Sequence, residues 1–263
     1  MITFEKYIRP QTLDEAYQLN QVRNNRIVGG MLWLKNGSAN YNTAIDLCDL
    51  GLNQIEENED EFSIGAMVTL RQIEQHEALN EYSDNAIRDS VKDIIGVQFR
   101  NLATVGGSLW GRFGFSDVLT VFLSMDSYVE LYKGGIIPLE EFAKQKYDSD
   151  ILVRLIIKKK SASFVYSAMR AQRTDFPVLT CAVSNIGDVY RFSIGARPGR
   201  AIVIYDEKGI LSDGITQESA TKMAEYVATN TKTSSNLRGS AKYRKHLAKV
   251  LTERNLLKLG VLS

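Results

Sequence analysis

Two glycine pairs offer this chain its clearest chemistry: Ile27-Val28-Gly29-Gly30 and Thr104-Val105-Gly106-Gly107-Ser108. Each follows an apolar lead-in. Glycine has no Cβ, so backbone N–H groups can approach a phosphate closely and point at its oxygens. A diphosphate has two sides, and two such loops could hold a dinucleotide from both. Neither pair has the G-x-G-x-x-G spacing of the dinucleotide-binding turn or the G-x-x-x-x-G-K-[ST] of a phosphate loop. Taken singly, each also reads as an ordinary tight turn. A third pair, Gly134-Gly135, separates the alternating run Tyr128–Tyr132 from Ile136-Ile137-Pro138 and reads as a hairpin.

Other chemistries are poorly supplied. Cys48 and Cys181 are the only cysteines and cannot form a four-ligand iron–sulfur or zinc site alone. His76 and His246 add little, so no metal site is expected. No general acid, base or nucleophile stands out, and no catalytic residue is assigned. The 32 basic and 31 acidic residues leave a net charge of +1, which gives no electrostatic case for nucleic acid or a membrane surface. Lys158-Lys159-Lys160 reads as a solvated strand end. No apolar run reaches membrane-spanning length and Met1–Glu5 shows no signal peptide, so a cytoplasmic protein without a membrane span is expected.

The elements that must position the glycines are legible. Thr12 and Glu15 have capping-box spacing before a short helix through Leu19. Arg26-Ile27-Val28 and Ala44–Leu47 read as strands, and Glu56 to Glu61 as a hairpin turn before Phe62–Ala66. Thr69 is a candidate N-cap. Asp84 to Ile95 places Ile87, Val91, Ile94 and Ile95 on one helical face. Asp117 to Met125 predicts a buried helix, Leu139 to Ala143 one helical turn, and Ile151 to Ile157 a strand. From about Ser161 longer strands appear, Ser163–Met169 and Arg191–Ala196. Two helices follow, near Glu218–Asn230 and Ser240–Leu257, the last with a stripe of Tyr243, Leu247, Val250 and Leu251. The order suggests α+β with a boundary near residue 160.

The segment Arg100-Asn101-Leu102-Ala103-Thr104-Val105-Gly106-Gly107-Ser108-Leu109, with Asp117 nine residues after Ser108, resembles the flavin-loop signature of the molybdenum hydroxylase flavoproteins. These are FAD-binding subunits of the xanthine dehydrogenase and carbon monoxide dehydrogenase (medium subunit) type. Three further segments resemble the family in the right order. They are Ile64-Gly65-Ala66 with Val68-Thr69-Leu70 and Ile73-Glu74, then Val129–Leu131 through Ile137-Pro138-Leu139 and Phe142, then Leu237–Arg244. The resemblance implies an FAD-binding domain of the PCMH, vanillyl-alcohol-oxidase-like type over residues 1–159, with subdomains of about 1–55 and 56–159. A C-terminal domain of three antiparallel strands and helices should follow over 160–263. It further implies that FAD contacts Arg26, Ile27, Val28, Gly29, Gly30, Met31, Leu32 and Trp33 on one loop. On the other loop it implies Thr104, Val105, Gly106, Gly107 and Ser108, whose hydroxyls (Thr104, Ser108) could donate to it. Ile94 matches an apolar wall position, Asp117 an acid that contacts the cofactor, and Arg170 a lysine near the flavin. A helix N-cap is the structural alternative for Asp117.

The chain departs from the family where Met31-Leu32-Trp33 follows the first pair in place of polar residues, and where Ser108 replaces asparagine. Trp33, Trp110, Phe113 and Phe115 could stack near a flavin or partner, or simply pack. The resemblance implies an electron relay: a molybdopterin-binding large subunit oxidises substrate, a 2Fe-2S small subunit conducts, and this flavoprotein reduces an acceptor such as NAD. Two alternatives stand beside it. One is a self-contained FAD oxidoreductase using Arg170, Arg173, Tyr190 and Arg197. The other is a flavin-free scaffold, favoured by Met31-Leu32-Trp33.

Overall fold

The structure, a computed structural model, describes residues 1–262, which fall into two compact units. The first comprises 1–72, 97–111 and 127–157, the second 73–96, 112–126 and the described residues from 158 on.

Short β-branched runs build the first unit. β1 (Thr3–Ile8), β2 (Arg26–Val28) and β3 (Asn40–Asp46) form a parallel sheet in the order β1-β3-β2, with Ile45 paired to both Ile8 and Ile27. The helix Leu13–Asn20 starts at Thr12, whose hydroxyl accepts from Glu15 N at 3.1 Å. Glu15 reaches back to Gln11 N at 2.8 Å instead of to the cap residue, so the expected box closes one residue early. Ala16 of this helix packs with Ile45, Leu47, Leu52, Ile151 and Val153. A second sheet, ordered β4-β5-β8-β6-β7, contains β4 (Ile55–Glu57), β5 (Glu61–Gly65), β6 (Ser127–Leu131), β7 (Gly135–Pro138) and β8 (Leu152–Lys158). Its hairpins fall where Glu56–Glu61 and Gly134-Gly135 predict them. β6 alternates buried and half-buried residues, as a strand with one covered face must.

The second unit carries an antiparallel meander of β9 (Ala162–Arg170), β10 (Pro177–Ile186), β11 (Val189–Gly195) and β12 (Ile202–Tyr205), ordered β12-β11-β10-β9. It has four strands where the resemblance implied three; the sequence marked β9 and β11 but neither β10, whose apolar and small residues do not alternate, nor the four-residue edge strand β12. Gly187 and Asp188, both at positive φ (52° and 66°), make the two-residue turn between β10 and β11. β10 is buried along almost its whole length, so its sequence runs apolar and small instead of alternating. The helices Gln217–Asn230 and Ala241–Leu262 pack Met223, Val227, Leu247, Leu251 and Leu256 into a core with Cys181, Val183, Phe192 and Ile194. Burying one such side chain contributes about 1.5–3 kcal/mol. The helix Asp117–Leu123 is buried throughout, and Thr120 meets Thr180 at 2.9 Å.

Two helical expectations change. The helix predicted over Asp84–Ile95 is only Ala86–Val91, because Asp84, Asn85 and Ile95 all take positive φ. Ile87 and Val91 are buried, but Ile95 lies beyond the helix and is 48% exposed. In the final helix Tyr243 is exposed and Arg244 takes the inward place. Its guanidinium is acceptable there because it donates to Val178 O, Ser234 O, Gly239 O and Asn236 Oδ1 at 2.6–2.9 Å. Among the described residues, no helix is long and apolar enough to cross a membrane, and no group of three or more His, Cys, Asp or Glu could hold a metal ion.

Candidate functional site

The two glycine segments meet in the first unit. A Cβ on Gly30 would lie 1.8 Å from Leu102 O, and one on Gly29 would lie 3.1 Å from Thr104 Oγ1. Gly106 is equally constrained, since a Cβ there would come within 2.6 Å of Ala66 O. Gly30 and Gly106 therefore serve first to let backbone pack on backbone. The second pair is not an open loop: it forms the first turn of a short helix, Val105–Trp110, capped by Thr104 through Gly107 N at 3.1 Å. Three main-chain bonds dock that turn on the segment before it: Gly106 N to Ala66 O, Val105 N to Val68 O, and Leu70 N to Ala103 O, each 2.8 Å.

Docking consumes donors unequally. Gly106 N, Gly107 N and Ser108 N all have protein acceptors, and Ser108 Oγ donates to Thr104 O at 2.8 Å. The Ser108 hydroxyl proton, expected to be available to a ligand, is thus directed into the helix. The first loop is different. The N–H groups of Gly29, Gly30, Met31 and Leu32 find no protein acceptor among the described residues, and all four residues have solvent access. Met31 sits at φ 57°, a left-handed conformation that non-glycine residues rarely adopt. Four successive open donors around a left-handed residue make a concavity suited to anionic oxygens. Arg26 begins the strand that leads into this loop, with its guanidinium over the Tyr41 ring, 5.0 Å from the centroid. Trp33 is 41% exposed. Trp110 packs on Phe142, and Phe113 stacks on Phe115.

Ile94, Asp117 and Arg170 belong to the second unit. Ile94 is half-buried in the turn after Ala86–Val91. Asp117 is in the first helical turn, but the cap is Ser116, which accepts from Leu119 N at 3.0 Å. The Asp117 carboxylate instead accepts from Tyr166 Oη and from Arg170 Nη2, the latter at 2.5 Å. Arg170 also donates to Asp175 O at 2.6 Å. Burial pushes the Asp117 carboxyl up to about 6, against the opposing pull of the Arg170 charge and the Tyr166 hydroxyl. Burial likewise drives the Tyr166 hydroxyl well up, reinforced by the Asp117 charge.

Sequence reasoning missed Tyr166 as the partner of Asp117, and Leu102 and Ala66 as the surfaces the glycines fit. Tyr166 carried no signal, because it lies mid-strand among other apolar residues. Ala66–Leu70 did carry one, as the segment that resembles the family between its two loops.

Residues 2–159 match the family model for the FAD binding domain in molybdopterin dehydrogenase, and residues 164–259 match that for the CO dehydrogenase flavoprotein C-terminal domain. The chain belongs to this family of FAD-binding molybdenum hydroxylase flavoproteins, and its cofactor is FAD. It is 25% identical to the nicotine 6-hydroxylase medium subunit of Paenarthrobacter nicotinovorans, over 97% of each chain. It is 23% identical to the YgfM protein of Escherichia coli K12, over 94% of this chain and 93% of that one. Its fold superimposes on a chain of the reconstituted CO dehydrogenase from Oligotropha carboxidovorans with a TM-score of 0.88, at 19% identity, covering 99% and 98% of the two chains. A chain of quinoline 2-oxidoreductase from Pseudomonas putida 86 gives 0.86 at 20% identity, covering 98% and 96%.

Proposed function

We propose that this chain is the FAD-carrying electron-transfer subunit of a molybdenum-containing hydroxylase. In this reading it takes electrons from a 2Fe-2S partner, itself served by a molybdopterin-binding large subunit, and delivers them to an acceptor such as NAD. The observation that carries the reading is the first glycine loop, docked against the second and presenting four open N–H donors. These donors, with the Thr104 hydroxyl, would hold the FAD diphosphate, and Arg26 to Trp33 and Thr104 to Ser108 would line it. FAD, when bound, accepts and releases electrons singly or in pairs. The chain's own residues bind and orient it, and the aromatic and apolar side chains keep water from it. Ile94, Asp117 and Arg170 are assigned to the flavin's surroundings on the same reading, as is a division of the chain at 159/160.

The relay is favoured over a self-contained oxidoreductase because the arginines that could engage a substrate are already used. Arg170 is paired with Asp117, Arg173 with Asp93 at 2.8 Å, and Arg197 donates to Arg200 O and Lys232 O. Two cysteines cannot supply the ligands of a 2Fe-2S cluster, so the cluster belongs to another chain. Both thiols are free, in keeping with a cytoplasmic location.

The test is a visible spectrum of the purified chain with and without FAD, followed by addition of NADH. Flavin absorption that NADH bleaches supports the relay with NAD as its acceptor. A chain left colourless by FAD, alone and co-expressed with partner subunits, would favour the scaffold reading, and substrate turnover by the isolated chain would overturn the relay.

A further inference from the structure

The second unit contains a cavity of about 120 Å³ that the flavin-loop reading does not use. Its body is apolar, with Phe115, Phe176, Pro177 and Pro198 on its walls. Phe115 meets Phe176 edge to face with centroids 4.7 Å apart, and both rings line the space. Arg238 and Arg244 also line it. The two guanidiniums are in different states. That of Arg244 gives four of its five N–H groups to protein acceptors. That of Arg238 lies over the Phe176 ring at 4.6 Å, with Asp175 no nearer than 3.8 Å and no hydrogen-bond acceptor among the described residues. Asn236 adds a further donor. Its Oδ1 accepts from Arg244 Nη2 and Arg238 N, which fixes the amide plane and leaves Nδ2 without a protein acceptor among the described residues.

Shape and charge together select a ligand. The space is about four-fifths of the roughly 150 Å³ apolar cavity that takes up benzene, and it opens to solvent on one side, so one six-membered ring can enter with its substituent toward the mouth. No carboxylate lines it, while two arginines do, and the carboxylate beside Arg238, that of Asp175, stands off at 3.8 Å, so the lining favours an anionic occupant. A guanidinium already aligned over a ring is preorganised for a planar oxyanion, which it can meet with two parallel N–H bonds. We propose that this cavity binds a small aromatic carboxylate of benzoate size, with its ring among Phe115, Phe176 and Pro198 and its carboxylate on Arg238 and Asn236 Nδ2.

The inference concerns the second unit alone and stands whether or not the flavin assignment holds. The test uses the purified full chain and benzoate as probe, with benzamide, acetate and chloride as controls, read by calorimetric titration. Benzoate should bind saturably at one site, and benzamide, which keeps the ring and loses the charge, at least about tenfold more weakly. Acetate, which keeps the charge and loses the ring, should weaken similarly. Arg238→Gln should weaken benzoate about tenfold with an unchanged circular dichroism spectrum, since Arg238 is exposed. Phe176→Leu should weaken benzoate more than acetate, and serves if Arg238→Gln does not fold. The proposal is overturned if benzoate fails to saturate, if benzamide or acetate matches it, or if Arg238→Gln binds it as wild type does.

Discussion

Asp117 is a carboxylate whose burial outweighs its partners. A carboxyl raised to about 6 in the folded chain, against an ordinary 3.8, is protonated in the native state over a range where the unfolded chain has lost its proton. Its contribution to stability is therefore full below about pH 4 and is lost as pH rises through about 6, by on the order of 3 kcal/mol. Asp117→Asn should remove this dependence. The stability difference, wild type minus variant, should fall between pH 4 and 6 in urea titrations, and parallel profiles would refute the assignment. A second residue-scale prediction concerns Met31, at φ 57°. Met31→Gly should relieve about 1 kcal/mol of left-handed strain and raise the melting temperature, with FAD affinity retained because the loop donors are backbone. The two thiols also divide cleanly. Burial pushes the Cys181 thiol up to about 12, while Cys48 is exposed. Native alkylation at pH 8 should modify Cys48 alone, and Cys181 only after unfolding.

At the scale of elements, the two glycine segments behave as one unit of backbone packing. Because a Gly30 Cβ would strike the Leu102 carbonyl, itself main chain, the segments must separate to accommodate it. Gly30→Ala should cost about 1–3 kcal/mol and weaken FAD binding together, as read by chemical denaturation and flavin titration. The helix that carries the second pair depends on its cap. Thr104→Val removes the acceptor for Gly107 N and should cost about 1 kcal/mol, with Thr104→Ser restoring it. Equal stability of the Val and Ser variants would show that the cap is dispensable.

For the whole molecule, FAD enters as a ligand of the folded state. At 100 times its dissociation constant it should stabilise the chain by about 2.7 kcal/mol, so the melting temperature should climb with the logarithm of FAD concentration. A melting temperature indifferent to FAD would place binding outside the isolated chain.

Caps, hairpins and the glycine pairs were legible in the sequence because each depends on residues a few positions apart. Thr12 and Thr69 act as caps through partners three residues on, as their spacing predicts, whereas the cap at Thr104, read as a cofactor donor, emerged only from the structure. The family was legible too, since its motifs are local and ordered. What only the tertiary structure decided is where distant residues met. The Gly30 environment is set by Leu102, the ionisation of Asp117 by Tyr166 and Arg170, and the burial of Arg244 by carbonyls from Val178 to Gly239. Ile95 shows the same limit from the other side: its spacing is helical, yet the helix stops at Val91 and Ile95 beyond it is left-handed. Periodicity and capping are properties of neighbouring residues, whereas desolvation, saturation of a buried charge and close backbone approach depend on which remote atoms the fold brings within contact distance.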